Sequence, residues 1–277
     1  MEFYGLLGQR LSHSLSPEIH NEILRNLEAE GAYKLFEVEE KDLENFTIGL
    51  KVLKIKGSNV TIPYKEKIMK YLDHISEEAE RIGAVNTIAL VDGELHGYNS
   101  DYYGFGYMLK IHNIELKDKI AVILGSGGAS KAVLYYLLDN KISKIYIVSR
   151  NPKENKFNHE NIETISYKDL QEIKGDIIIN STPVGMYPKE DETPVEANII
   201  SNFNVLVDLI YNPNETKFLE IGRNLGKETV GGLYMLVGQA LKSQEIWHQK
   251  TIDKEIIKEI YNKLKFHPKI NKGNLRW

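Results

Sequence analysis

Four runs of apolar and β-branched residues, 120–124, 145–149, 176–180 and 205–210, recur at intervals of roughly 30 residues through the middle of the chain. Continuous apolar runs of this kind suit strands buried on both faces of a parallel sheet. The intervals leave room for a crossover helix each time, so the pattern predicts repeated βαβ units and a doubly wound fold. The first crossover helix is predicted over 129–138, where Ala132, Val133, Tyr136 and Leu137 fall at helical spacing and form one apolar face.

The first hundred residues alternate differently. They predict a strand over 2–7, a polar loop, and a helix starting near Pro17 with Ser16 as its N-cap and Ile19, Ile23, Leu24 and Leu27 as its apolar stripe. A strand over 33–38, a helix over 43–52 and a strand running into Asn59 continue an α/β pattern. Segments 85–90 and 94–98 flank Asp92-Gly93, a favoured hairpin turn. Helices are predicted near 233–249 and 254–264 after Gly231-Gly232. No repeat, low-complexity tract or Pro-rich linker separates the two patterns.

Composition narrows the function classes. Among 277 residues, 42% are hydrophobic and 27% charged, which excludes collagen-like, coiled-coil and disordered classes. The 35 Lys and Arg against 39 Asp and Glu give a net charge of −4, so no global basic field favours nucleic acid or anionic lipid, and small molecules are the expected partners. Zero cysteines remove disulfides, thiolate zinc sites, iron–sulfur clusters and a Cys nucleophile, and fit a reducing cytoplasm. No secretory signal or long uncharged apolar run is recognisable, so a cytoplasmic location is expected. The eight His residues show no H-E-x-x-H spacing, and no metal is expected.

Gly125-Ser126-Gly127-Gly128-Ala129-Ser130 follows a predicted strand and opens a predicted helix, the context in which backbone N–H groups meet a pyrophosphate. Ser130 stands where the third glycine of G-x-G-x-x-G belongs, and a tight strand-to-helix turn without a ligand would use the same residues. After the second strand comes Ser149-Arg150-Asn151, with no acidic residue to accept a ribose hydroxyl. The Arg150 guanidinium suits a 2′-phosphate and points to NADP, with Lys153 as added charge; a solvated surface arginine is the alternative.

Four polar segments lie outside that unit: 12–16, 59–65, 86–87 and 99–101. Each has a plain structural use, such as Ser16 as a helix cap, Asn86 in a turn or Asp101 as the N-cap of a following helix. Together, however, Ser14-Leu15-Ser16-Pro17, Asn59-Val60-Thr61-Ile62-Pro63-Tyr64-Lys65, Gly83-Ala84-Val85-Asn86-Thr87, Asn99-Ser100-Asp101 and the run from Gly231-Gly232 to Gln239 resemble, in this order, the shikimate dehydrogenase family.

The resemblance spans nearly the whole chain and implies an N-terminal α/β substrate domain of residues 1–101 completed by 237–277, with a doubly wound, Rossmann-like NADP-binding domain over 102–236 between them. Ligand and cofactor would meet between the two. It implies Ser14 and Ser16 as partners of the substrate carboxylate, with Tyr211 nearby, and Asn59, Thr61, Asn86, Asp101 and Gln239 as holders of ring hydroxyls. Lys65 would be the acid–base residue, protonating the C3 oxygen as NADPH delivers hydride to 3-dehydroshikimate, with Asp101 orienting it. Gly125, Ser126, Gly127, Gly128 and Ala129 would cradle the phosphates, Ser149, Arg150, Asn151 and Lys153 the 2′-phosphate, and Leu209 and Gly232 would flank nicotinamide.

The implied activity is reversible reduction of 3-dehydroshikimate to shikimate in the pathway to chorismate and the aromatic amino acids, by a monomer or homodimer. Two departures stand out. The family's second basic residue after the arginine is displaced here to Lys153, which implies a shallower NADP preference, and the tail 266–277 matches none of the family's motifs. The nearest alternative is a quinate/shikimate dehydrogenase using NAD or NADP. Ser14 argues against it, since quinate-preferring relatives change that serine. A non-catalytic sensor of shikimate-like acids is the other alternative, and it would need neither Lys65 nor Asp101.

Overall fold

A computed structural model describes residues 1–270 except 13, 155, 156 and 158. It divides by contact into two compact units, Met1–Gly104 with Val237–Tyr261, and Phe105–Leu236 with the residues from Asn262 onward. The sequence places the boundaries at 101/102 and 236/237 and returns the whole tail to the first unit. By contact, the first break falls within helix α4 (Ser100–Ile111), the second within α8 (Leu233–His248), and 262–270 group with the second unit. Continuous helices run through both breaks, so the division by contact does not follow the ends of elements.

The first unit contains β1 (Glu2–Gly8), α1 (Ser16–Asn26), β2 (Gly31–Glu37), α2 (Leu43–Val52), β3 (Gly57–Val60), β4 (His74–Ile75), α3 (Glu77–Ile82), β5 (Thr87–Val91) and β6 (Glu94–Tyr98). They form a mixed sheet in the order β2-β1-β3-β5-β6-β4. The strand β1 runs parallel to β2 and β3, while β5 is antiparallel to β3 and β6. Strand alternation sends Leu7 into one core with Leu43, Val60, Ile68 and Ile88, and Tyr4 and Leu6 into another with Leu24, Tyr33 and Trp247 on α8. Asp92 and Gly93 adopt φ of 50° and 86°, as the expected tight hairpin requires.

The second unit contains β7 (Ile120–Leu124), α5 (Gly128–Asp139), β8 (Lys144–Val148), β9 (Ile162–Ile165), β10 (Ile177–Asn180), α6 (Ala197–Ile200), β11 (Val205–Asp208), α7 (Lys217–Asn224) and β12 (Glu228–Val230). All its strands are parallel, in the order β12-β11-β10-β7-β8-β9. The order reverses between β7 and β10, the switch point of a doubly wound sheet, where the carboxyl ends of two strands diverge and leave a crevice. Strands β9 and β12 are absent from the sequence-based pattern because they are the two edges. Paired on one side only, they are short and partly exposed and lack the continuous apolar run of the central strands. After Leu264 ends α9 (Glu255–Leu264), the described tail continues to the buried Ile270. No described helix is long and apolar enough to cross a membrane.

Candidate active site

In the first unit, the residues the sequence singles out lie at the ends of strands and at the start of a helix. Lys65 follows β3, and Asp101 lies in the first turn of α4, where an acidic side chain is favoured by the helix dipole. Lys65 Nζ donates to Asp101 Oδ2 at 2.5 Å, and the two side chains are 17% and 11% exposed. The pair is thus mostly withdrawn from water yet reachable, and Asp101 fixes the ammonium in place. Asp101 is not the N-cap of its helix: Asn99 Oδ1 accepts the Tyr102 N–H at 3.3 Å instead.

Beneath this pair lies a buried polar network. Asn86 Oδ1 accepts from the Ser100 N–H at 2.6 Å and from the hydroxyls of Ser100 and Thr87. Ser100 Oγ also lies 3.3 Å from Gln239 Oε1, while Ser243 Oγ donates to the Gln239 carbonyl at 2.9 Å. Ser243 stands one turn beyond Gln239 on α8, so the two share a face, and its hydroxyl reaches Thr87 and Ser100 as well. A fully joined set of this kind holds each member in one orientation, because a partner lost in the interior is not replaced by water.

Asn59 belongs to the same network, with its amide engaged by the protein on both sides. Oδ1 accepts from the Tyr33 hydroxyl at 2.8 Å, and Nδ2 faces Ser243 Oγ, Thr87 Oγ1 and the Asn86 carbonyl at 2.8, 3.1 and 3.2 Å. It is a fastening between β3 and its neighbours. Thr61, half-buried just past β3, donates its N–H to the Leu7 carbonyl. Ser14 and Ser16 are joined at their hydroxyls at 3.1 Å, and Ser14 Oγ accepts the Ser16 N–H. Ser16 is therefore not the N-cap of α1 but its first residue, with Leu15 at the cap position.

Behind this network, His20 stacks on Tyr33 with ring centroids 4.2 Å apart and meets Gln244 through Nδ1 at 2.9 Å. Complete burial, partly offset by the nearby Asn59, lowers its pKa to about 3. Its Nε2 has no hydrogen-bond partner, so His20 is a neutral aromatic wall rather than an acid or base of the reaction.

In the second unit the glycine loop occupies the predicted place, between the end of β7 and the first turn of the twelve-residue α5. Gly125 has φ of +97°, and a Cβ there would lie 2.9 Å from Thr182 Cγ2 and 3.2 Å from Ser181 Oγ, so both conformation and space demand glycine. Gly127 faces open space, with no heavy atom within 4 Å of an added Cβ. Ser130, in the third glycine position, donates its hydroxyl to the Gly127 carbonyl at 2.5 Å and so braces the loop from within.

Ser181 and Thr182, at the end of β10, wall the loop across the switch point; sequence reasoning missed them, although they directly follow a recognised strand. The carboxyl end of β8 presents Ser149, whose Oγ accepts the Asn151 N–H at 3.2 Å, followed by exposed Arg150, Asn151 and Lys153. Leu209 and Gly232 are brought together: a Cβ on Gly232 would stand 2.2 Å from the Leu209 carbonyl oxygen. Tyr211 lies two residues beyond Leu209, and burial raises its pKa. Asp208, just before them, is fully buried and accepts from Asn180, Thr216 and the Ile210 N–H, with burial raising its pKa to about 6.

These features fit a dinucleotide phosphate: an open glycine at a helix N-terminus, and an arginine where the second strand ends. A phosphate there would meet backbone N–H groups and the positive end of α5.

Comparison with known proteins gives the same picture. Residues 6–88 match the family described as shikimate dehydrogenase substrate binding domain. The chain is 57% identical over 263 residues, 95% of its length and 97% of the relative's, to a shikimate dehydrogenase (NADP(+)) of Clostridium beijerinckii. It is similar to the crystal structure of shikimate dehydrogenase 1 from Peptoclostridium difficile, with 54% identity, a TM-score of 0.90, and 96% and 98% of the two chains covered. The shikimate 5-dehydrogenase of Thermus thermophilus, solved in complex with NADP(H) and shikimate, is 31% identical with a TM-score of 0.86, over 95% and 99% of the two chains.

Proposed function

The chain belongs to the shikimate dehydrogenase family, and we propose that it interconverts 3-dehydroshikimate and shikimate with NADP, using Lys65 as the proton-transferring residue. The observation that carries the assignment of the site is the Lys65–Asp101 pair at 2.5 Å, set on the buried network of Asn86, Ser100 and Gln239. Neither a ligand sensor nor a purely structural nucleotide-binding protein needs an ammonium held in this way. A cytoplasmic setting and small-molecule partners go with this function.

When bound, the cofactor supplies or accepts the hydride. The chain's residues have the other tasks. Reduction of a ketone builds alkoxide character on its oxygen, and a positioned ammonium stabilises that charge and delivers the proton. Lys65 does this, held by Asp101; in the reverse direction the hydroxyl proton returns to Lys65 as the carbonyl forms. Asn86 and Gln239, both joined to Ser100, take the substrate hydroxyls. Asn59, saturated by protein partners, acts as a positioning residue rather than by direct contact. Ser14, Ser16 and Tyr211 receive the carboxylate, with Thr61 at the ring.

The residues Gly125, Ser126, Gly127, Gly128 and Ala129 hold the phosphates of NADP, while Ser149, Arg150, Asn151 and Lys153 take the 2′-phosphate, and Leu209 and Gly232 line the nicotinamide. The decisive experiment follows reduced-nicotinamide absorbance with shikimate or quinate, each with NADP or NAD. Rapid shikimate oxidation with NADP, abolished in Lys65→Ala, supports the assignment. Equal turnover of quinate or equal use of NAD points to the broader dehydrogenase, and binding without turnover to a sensor.

A further inference from the structure

Away from the polar network, the edge of the first sheet carries a second cluster of coordinating side chains. The short edge strand β4 pairs in parallel with β6 in a register that sets His74 opposite His96. On β6, Glu94 and His96 are two residues apart and so leave the same face, which is also the face of the register partner His74. His74 Nε2 lies 2.9 Å from Glu94 Oε2, and the imidazoles of His74 and His96 lie 4.6 Å apart at 35°. One ligand atom from each of the three residues falls within 4.8 Å of the others. His74 and Glu94 are exposed and His96 is half-buried, so an ion can reach them from solvent.

We propose that His74, Glu94 and His96 form a binding site for a divalent transition-metal ion of the zinc class, separate from the active site, which clips the edge strand β4 to β6. Zinc takes nitrogen and oxygen ligands at about 2.0–2.2 Å in tetrahedral geometry, so two ligands of one ion lie about 3.4 Å apart. The observed spread of up to 4.8 Å exceeds this by about 1.4 Å, which rotation of the exposed His74 and Glu94 side chains closes. Two imidazoles and one carboxylate select zinc, nickel or copper over magnesium or calcium, which prefer all-oxygen sites. Water completes the shell.

Asp73 is not a further ligand, because its carboxylate accepts the Leu95 N–H at 2.6 Å and pairs with Lys51 at 2.7 Å. The Glu94–His74 contact already orients one ring, which reduces the ordering needed on binding. The ligands come from two strands some twenty residues apart in the chain, which is why motif spacing in the sequence does not reveal the site.

The test is titration calorimetry of the untagged, EDTA-treated full chain with zinc chloride, beside His74→Gln, His96→Gln and Glu94→Gln. One equivalent is expected to bind, with His74 and His96 ring proton signals shifting together in NMR. Changing an outer partner of a metal ligand costs 10–100-fold in affinity, so losing a ligand should weaken binding by at least ~10-fold. Zinc should raise the melting temperature of the parent but not of the variants, whose shikimate turnover stays that of the parent and shows them folded. Magnesium chloride should give no saturable heat. Absence of saturable zinc binding, or an affinity unchanged in the His74 and His96 variants, overturns the proposal; the latter result would place the ion on other histidines.

Discussion

An ammonium held 2.5 Å from a carboxylate, both mostly buried, is costly to disturb on either side. Lys65→Ala should lower turnover about 10²- to 10⁴-fold, the usual weight of a positioned general acid–base group, with KM for shikimate changing far less. Steady-state kinetics in both directions checks it. Unchanged turnover would remove Lys65 from proton transfer. His20 makes a different prediction. Its folded pKa of about 3 lies below the ordinary value of 6.5, so the unfolded chain binds a proton first as pH falls. Its contribution to stability is complete above about pH 6.5 and is lost toward pH 3, at up to about 1.4 kcal/mol per pH unit. In His20→Gln, which retains a partner for Gln244, unfolding free energy measured by denaturant between pH 4 and 7 should fall less steeply with acid than in the parent. Equal slopes would show that His20 does not set the acid limb.

At the scale of elements, the polar network depends on α8 presenting Gln239 and Ser243 on one face against β3, β5 and α4. Ser243→Ala leaves Asn59, Thr87 and Ser100 short of a partner, a loss of about 1–3 kcal/mol. The expected result is a lower melting temperature with a KM for shikimate raised more than that for NADP; a change in stability alone would make Ser243 merely structural. Across the second sheet, Gly232→Ala pushes a methyl into the Leu209 carbonyl and should raise KM for NADP with little effect on shikimate binding to the free enzyme. Legibility differed by element. The helix α2, the β5–β6 hairpin and the central strands of the second unit follow from periodicity and turn chemistry alone. The edge strands β9 and β12 do not, nor does the start of α1, where Leu15 stands at the cap position and Ser16 is the first helical residue.

For the whole molecule, each unit has its own hydrophobic core, one built on Phe203, Leu206 and Phe218 and the others on residues such as Leu7, Leu43 and Tyr4. A ligand that binds only the folded state stabilises it by mass action, by about 2.7 kcal/mol at a hundred times its Kd. NADP should therefore raise the calorimetric melting temperature. Arg150→Ala should shrink that rise while leaving the smaller effect of NAD in place, because only the 2′-phosphate differs between the two cofactors. An equal loss for both would show that Arg150 does not read the 2′-phosphate.

The order of residues alone carried the class of fold, the glycine loop and the arginine after the second parallel strand, and its motifs pointed to Lys65 for the proton-transfer role proposed above. These depend on local periodicity, on turn geometry and on motifs whose residues lie close together in the chain. The folded arrangement was needed to see that Asn59 is held by Tyr33, Thr87 and Ser243, that Ser181 and Thr182 wall the glycine loop, and that His74, Glu94 and His96 converge. Each of these is set by strand register and helix packing between residues distant in sequence. Hydrogen-bond saturation and ligand convergence are properties of distances, which the order of residues along a chain does not specify.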